Sequence, residues 1–171
     1  MTVPRPAQQG DLMRTREAAG RGVATGTVAT LAMSVPMLAA TRLGIVRRQA
    51  PEQITDRLLQ RAGLTEDVRS DSARDALAAG NHLLFGAVGG IGFALLARRL
   101  PPTIPPIAAG VAYALMIWTV SYAGWAPALR LMPPPDDDEP ARPAVTLGAH
   151  LVYGAVLGAL TPTNGRAPMH R

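Results

Sequence analysis

The chain has 171 residues, of which 17 are basic and 12 acidic, with a formal net charge of +5, 48% hydrophobic residues and no cysteine. Without cysteine there is no disulfide, no thiolate-held metal and no thiol nucleophile. The basic excess would suit a nucleic-acid binder in water, but every basic residue apart from His is Arg and lies in the tails and connections beside apolar runs. There a cation belongs to the headgroup layer, and nucleic acid is not an expected partner.

Four windows contain no Asp, Glu, Lys or Arg: 22–41, 76–97, 100–129 and 143–165. Each reaches the roughly 20 residues that a helix needs to cross about 30 Å of hydrocarbon. The expected fold is an all-α integral membrane protein, a four-helix transmembrane bundle over residues 22–165. Residues 1–21 read as a mobile or interfacial N-terminal tail. Arg14, Arg16 and Arg21 ahead of an apolar run imitate a secretory signal. The run exceeds a signal core of about 7 to 15 residues, so it is read as a retained first helix over about 22–45. Pro36 lies inside that helix and removes one backbone hydrogen bond, which predicts a bend over 32–36. Thr27, Thr30, Ser34 and Thr41 share a face that is expected to turn inward.

A charged connector follows. Within it Pro51 and Glu52 suit a helix start and Gly63 its end, while Ile54, Leu58 and Leu59 form an apolar stripe. The spacing predicts a short amphipathic helix over about 51–62, lying on the membrane or capping the bundle, with a solvated connector as the alternative. A second spanning helix is expected over about 73–96. The prolines at 101, 102, 105 and 106 force an extended link before a third helix over about 107–126. Trp118, Tyr122 and Trp125 near its end fit an interfacial aromatic belt. The four consecutive acids Asp136 to Glu139 have flanking prolines and no partner ligands, and read as a solvated turn. A fourth helix is expected over about 144–161, then a tail at 166–171. The tight second connection bears Arg98 and Arg99 and no acid, which favours both termini cytoplasmic.

Two stretches nearly coincide: His82 to Gly90 reads HLLFGAVGG and His150 to Gly158 reads HLVYGAVLG. A weaker echo joins Gly22-Val23-Ala24 to Gly110-Val111-Ala112. The pattern is that of two helical hairpins duplicated from one. Parallel repeats place both imidazoles at similar depth, near the starts of parallel helices. An ionisable group in a bilayer marks a relay, a ligand site or a buried polar contact, so the candidate intramembrane polar site is His82, His150, Asn81, Ser34 and Tyr122, on a seam with Thr27 and Thr30. A structural hydrogen bond is the first reading of the two rings and a proton relay the second. Axial haem ligation is the third. No acid or thiol stands by to complete a metal site, and no catalytic motif is present, so neither cofactor nor enzyme activity is expected. Gly22 with Gly26, Gly86 with Gly90, and Gly154 with Gly158 are four apart and predict close helix packing within the bundle, or a homo-oligomer face.

The GVAT-type first helix, the segment from Ser121 to Pro135 and AHLVYGAVLGAL at 149–160 together resemble small bacterial inner-membrane proteins of unknown function, including the YagU-like group. The resemblance implies a small helical membrane fold and no particular reaction, substrate or cofactor. The reading that follows is a multi-pass, non-enzymatic membrane component, accessory or stress-related. The rivals are a small oligomeric transporter or channel and, third, a bis-His haem protein.

Overall fold

The structure, a computed structural model, describes residues 6–68 and 70–161. Among them every regular element is helical: α1 (Pro6–Arg42), α2 (Ala50–Ala62), α3 (Asp71–Ala97), α4 (Pro106–Val120) and α5 (Arg142–Leu160). A five-residue π-helical turn, Ser121–Trp125, extends α4 into a last turn at Ala126–Ala128. α1, α3, α5 and α4 with its extension are long and apolar enough to cross a membrane. The expected C-terminal tail lies outside the described residues.

α1 starts well before Gly22, within the segment expected to be a tail. Good helix formers fill that stretch. Its first turns are also held from outside, because Arg98 donates to the Thr15 hydroxyl at 3.0 Å and approaches Asp11 at 3.4 Å. The same contacts put the start of α1 and the α3–α4 link at one end of the molecule. The helix passes Pro36 without interruption.

Glycine sets the bundle geometry. A Cβ on Gly22 would lie 2.6 Å from the Ile91 Cα, and one on Gly26 2.9 Å from the Gly90 Cα. α1 and α3 therefore cross backbone to backbone at Gly22, Gly26, Gly86 and Gly90. α4 and α5 cross in the same manner, where Cβ atoms on Gly154 and Gly158 would lie 2.7 Å from the Val111 Cα and 2.8 Å from the Ile107 Cα. Gly110 is the α4 member of that crossing. Small-to-small contact of this kind is how helices associate where lipid offers no hydrophobic advantage to burying Leu. All three glycine pairs face partners within one chain.

α1 packs on α3 and on α5, and α5 on α4, whereas α3 and α4 touch little. Ala29, Met33, Met37, Phe93, Ala114, Tyr153 and Leu157 make the core. The outward surface is apolar as well: Leu31, Val35, Leu84, Val88, Met116 and Val120 are each more than half exposed. So wide an apolar exterior is foreign to a protein bathed in water and natural to one bathed in lipid.

Candidate functional site: a histidine cavity beneath α2

The scarcity of contact between α3 and α4 leaves a wedge. At the end away from α2 it is closed. There Tyr113 donates to the Gly89 carbonyl at 3.0 Å, Phe93 packs on Tyr113 with ring centroids 5.4 Å apart, and Tyr153 reaches from α5 to the Gly86 carbonyl at 2.7 Å. Towards α2, Phe85 and Trp125 lean together, centroids 6.2 Å apart. Between the helices lies a half-open cavity of about 260 Å³.

The walls are mostly apolar. α1 contributes Met33 and Met37, α4 Ile117 and Trp125, and α2 lays Ile54 and Leu58 across the top. His82 and His150 both border this space, together with Asn81, Tyr122, Thr146 and Tyr153. Two rings on different helices thus meet one cavity. Phe85 and Tyr153 occupy the same repeat position, and the hydroxyl that distinguishes them is the one that ties α5 to α3.

Most polar groups around the cavity are already spoken for. Thr30 gives its hydroxyl to the Gly26 carbonyl at 2.7 Å and Ser121 to the Ile117 carbonyl at 2.6 Å. Thr146 accepts from the Trp118 indole at 3.1 Å. Asn81 donates to Thr55 of α2 at 3.1 Å, so it tethers the cap. The exception is the Nε2 of His82, buried without a hydrogen-bond partner. His150 places Nδ1 2.8 Å from the Thr146 carbonyl. A carbonyl only accepts, so Nδ1 carries the proton, and in the neutral ring Nε2 is left as an acceptor.

Ser34 does not belong to this group. It bonds the Thr30 carbonyl of its own helix at 2.8 Å and does not border the cavity. Thr27 likewise returns its hydroxyl to the Val23 carbonyl at 2.8 Å. The expected inward hydroxyl face of α1 narrows to Thr30 and to Thr41, which accepts from Gln49 at 2.7 Å, because the rest of the buried stripe is set by the small residues Gly22, Gly26 and Ala29. Trp118 and Tyr122 also differ from an interfacial belt: they stack, centroids 5.4 Å apart, and Tyr122 is buried. Pro127 has no N–H to give to the Ala123 carbonyl, and the wider turn before it, closed by the Ala126 N–H on the Ser121 carbonyl, brings Ser121, Tyr122 and Trp125 together onto the cavity wall.

The acidic turn holds a cluster that its composition concealed. Asp136 and Asp137 face outward, but the Asp138 side chain is 1% exposed and pairs with Arg142, itself 7% exposed. Tyr122 donates its phenol to the same carboxylate. Arg142 further bonds Glu139 at 2.7 Å and the Arg48 carbonyl at 2.8 Å, and the Arg47 N–H bonds Glu139 at 3.1 Å. The solvated-turn expectation fails for Asp138 and Glu139, because Arg142, three and four residues on, draws both carboxylates inward. The cluster reaches from the segment leading into α2 to a residue on the cavity wall. Among the described residues no group of three or more His, Cys, Asp or Glu could hold a metal ion.

Among the described residues, four helices of membrane-crossing length, an apolar exterior and a cavity beneath α2 make up an all-helical fold of a kind suited to a membrane. The chain belongs to DUF6789, a family of unknown function, whose pattern matches residues 16–171. No curated protein and no solved structure matches it.

Proposed function

We propose that this is a multi-pass protein of the inner or plasma membrane, with both termini cytoplasmic, which acts as a non-enzymatic accessory component and whose working part is the histidine cavity. The observation that carries the reading is the cavity itself: half open, lined by mostly apolar walls, bordered by two imidazoles and overlain by an amphipathic helix, it has the make-up of a binding site, apolar with a few polar groups. The outward Leu, Val and Met of the four helices support insertion. The matched glycine crossings and the nonapeptide repeat support an origin by hairpin duplication. The bacterial placement leans on the likeness to YagU-type proteins.

A channel or transporter needs a continuous polar path. The tyrosine and glycine contacts that close the wedge below Gly86 weigh against one. The glycine pairs are used inside the bundle, so self-association would draw on other faces. The test is reconstitution of the full chain into vesicles. The expected result is resistance to alkaline carbonate extraction with ion and small-solute leakage no faster than from empty vesicles. Recovery in the aqueous supernatant, or solute flux in proportion to protein, would overturn the reading.

A further inference from the structure

The protein groups around the cavity leave an asymmetric demand. One imidazole nitrogen, His82 Nε2, is buried and without a partner, and the other ring offers Nε2 as an acceptor while its Nδ1 is fixed on Thr146. Among the described residues no carboxylate, Arg or Lys borders the cavity, so nothing described there compensates a charged head group, and bringing one in would carry a large desolvation cost. A hydroxyl both donates and accepts. It can give its proton to His150 Nε2 and, with His82 as the Nε2–H tautomer and its ring turned towards the cavity, accept from His82 Nε2 as well. Below and beside the rings the surface is thioether, aliphatic and indole: Met33, Met37, Ile117 and Trp125. This suits a flexible or irregular apolar body, since Met adapts its shape to what it packs against.

We infer that the cavity binds a small neutral alcohol with an apolar body, about a dozen non-hydrogen atoms in all, its hydroxyl seated between His82 and His150 and its body along Met33, Met37 and Trp125. The inference rests on the binding role proposed above. It also gives the cap a purpose. A molecule of this kind partitions into lipid, and the loosely closed seam at Phe85 and Trp125 lies beside the tether from Asn81 to Thr55, so entry goes between α3 and α4 and α2 covers the occupant.

Trp118 and Trp125 are the two tryptophans of the chain, and a Trp118→Phe background makes Trp125 the sole reporter. The full chain in lipid nanodiscs is titrated with decanol, decane and decanoate, each carrying bromine at the far end as a contact quencher of indole. Saturable quenching by the alcohol at about tenfold lower concentration than by the alkane is expected, the difference that one to two net hydrogen bonds make. Decanoate at neutral pH should quench more weakly than the alcohol. In His82→Leu and in His150→Leu the advantage of alcohol over alkane should fall to about twofold or less, with alkane quenching kept.

Equal saturable quenching by alcohol and alkane, as when water alone serves the His82 nitrogen, would overturn the hydroxyl assignment and leave the cavity as a binding site. Stronger quenching by decanoate would overturn the neutral class. Quenching that rises without saturation for all three would sink the binding role itself. The comparison of the three probes needs neither histidine variant, so it decides even if those variants fail to fold.

Discussion

Gly26 and Gly148 are the same residue in opposite circumstances. A Cβ on Gly26 would meet the backbone of α3 closer than 3 Å, whereas one on Gly148 would meet nothing within 4 Å. Gly26→Ala and Gly158→Ala should therefore each destabilise by about 1–3 kcal/mol through overpacking. Gly148→Ala should stabilise by about 0.5–1 kcal/mol, since alanine restricts the chain in its helix. Thermal unfolding in detergent checks both signs, and equal midpoints for Gly26→Ala and Gly148→Ala would refute the close crossing. Spacing in the sequence reveals which glycines are four apart, but it cannot say which face a neighbour. Gly110, essential to the α4–α5 crossing, belongs to no such pair. Asp138 makes the same point with charge. It was indistinguishable from Asp136 and Asp137 by composition, and only its distance along the chain from Arg142 hinted at a partner. Arg142→Met leaves the buried Asp138 carboxylate without its cation, at a cost of about 3–5 kcal/mol, whereas after Asp138→Leu the guanidinium keeps Glu139 and the loss is smaller. Denaturant titrations should show that order, with the double variant destabilised by clearly less than the sum of the singles.

At the scale of an element, α2 shows how local signals and tertiary contacts combine. Its ends were readable: the Gln49 N–H bonds the Glu52 carboxylate at 3.2 Å, and Gly63 takes a left-handed φ of 70° that glycine tolerates without strain. Its destination was not. Gln49 donates to the Met37 carbonyl at 2.8 Å and to Thr41 at 2.7 Å, and Arg48 pairs with Asp56 at 2.5 Å. These fix the helix over the cavity with Ile54 and Leu58 beneath. Ile54→Asp should undock it, so that hydrogen exchange accelerates across 50–62 while α3 keeps its protection. Uniform acceleration in both helices would mean that α2 is integral to the bundle rather than a cap. The π-helical turn of α4 is the converse case, an element with no periodic signature whose cause is one proline. Pro127→Ala restores the missing donor, and the turn at 121–125 should contract to an ordinary helix. Trp125 then rotates off the cavity wall, read as a changed emission maximum in the Trp118→Phe background.

For the molecule as a whole, the contacts of Arg98 with Thr15 and Asp11 put the α3–α4 link beside the start of α1, and the cluster around Arg142 puts the α4–α5 turn beside the entry to α2. The native chain has no cysteine, which makes labelling simple. Single cysteines at Thr103 and at Asp136 should react from opposite faces of sealed vesicles, with Thr103 on the cytoplasmic face. Reaction of both from one face would contradict the arrangement in a membrane.

Four spanning-length helices and the amphipathic connector could be read along the chain, because each depends on residues a few turns apart: an unbroken apolar run and a helical stripe. The wedge between α3 and α4, the inward turn of Tyr122, the buried Asp138 and the exclusion of Ser34 depend on which side of one helix meets which side of another. That is settled by backbone contact at glycines and by a proline-driven turn, and neither leaves a periodic trace in composition. The sequence by itself determined that two imidazoles sit in apolar surroundings; only the tertiary structure decided that they share one space, because shared space follows from helix crossing and not from the order of residues along a helix.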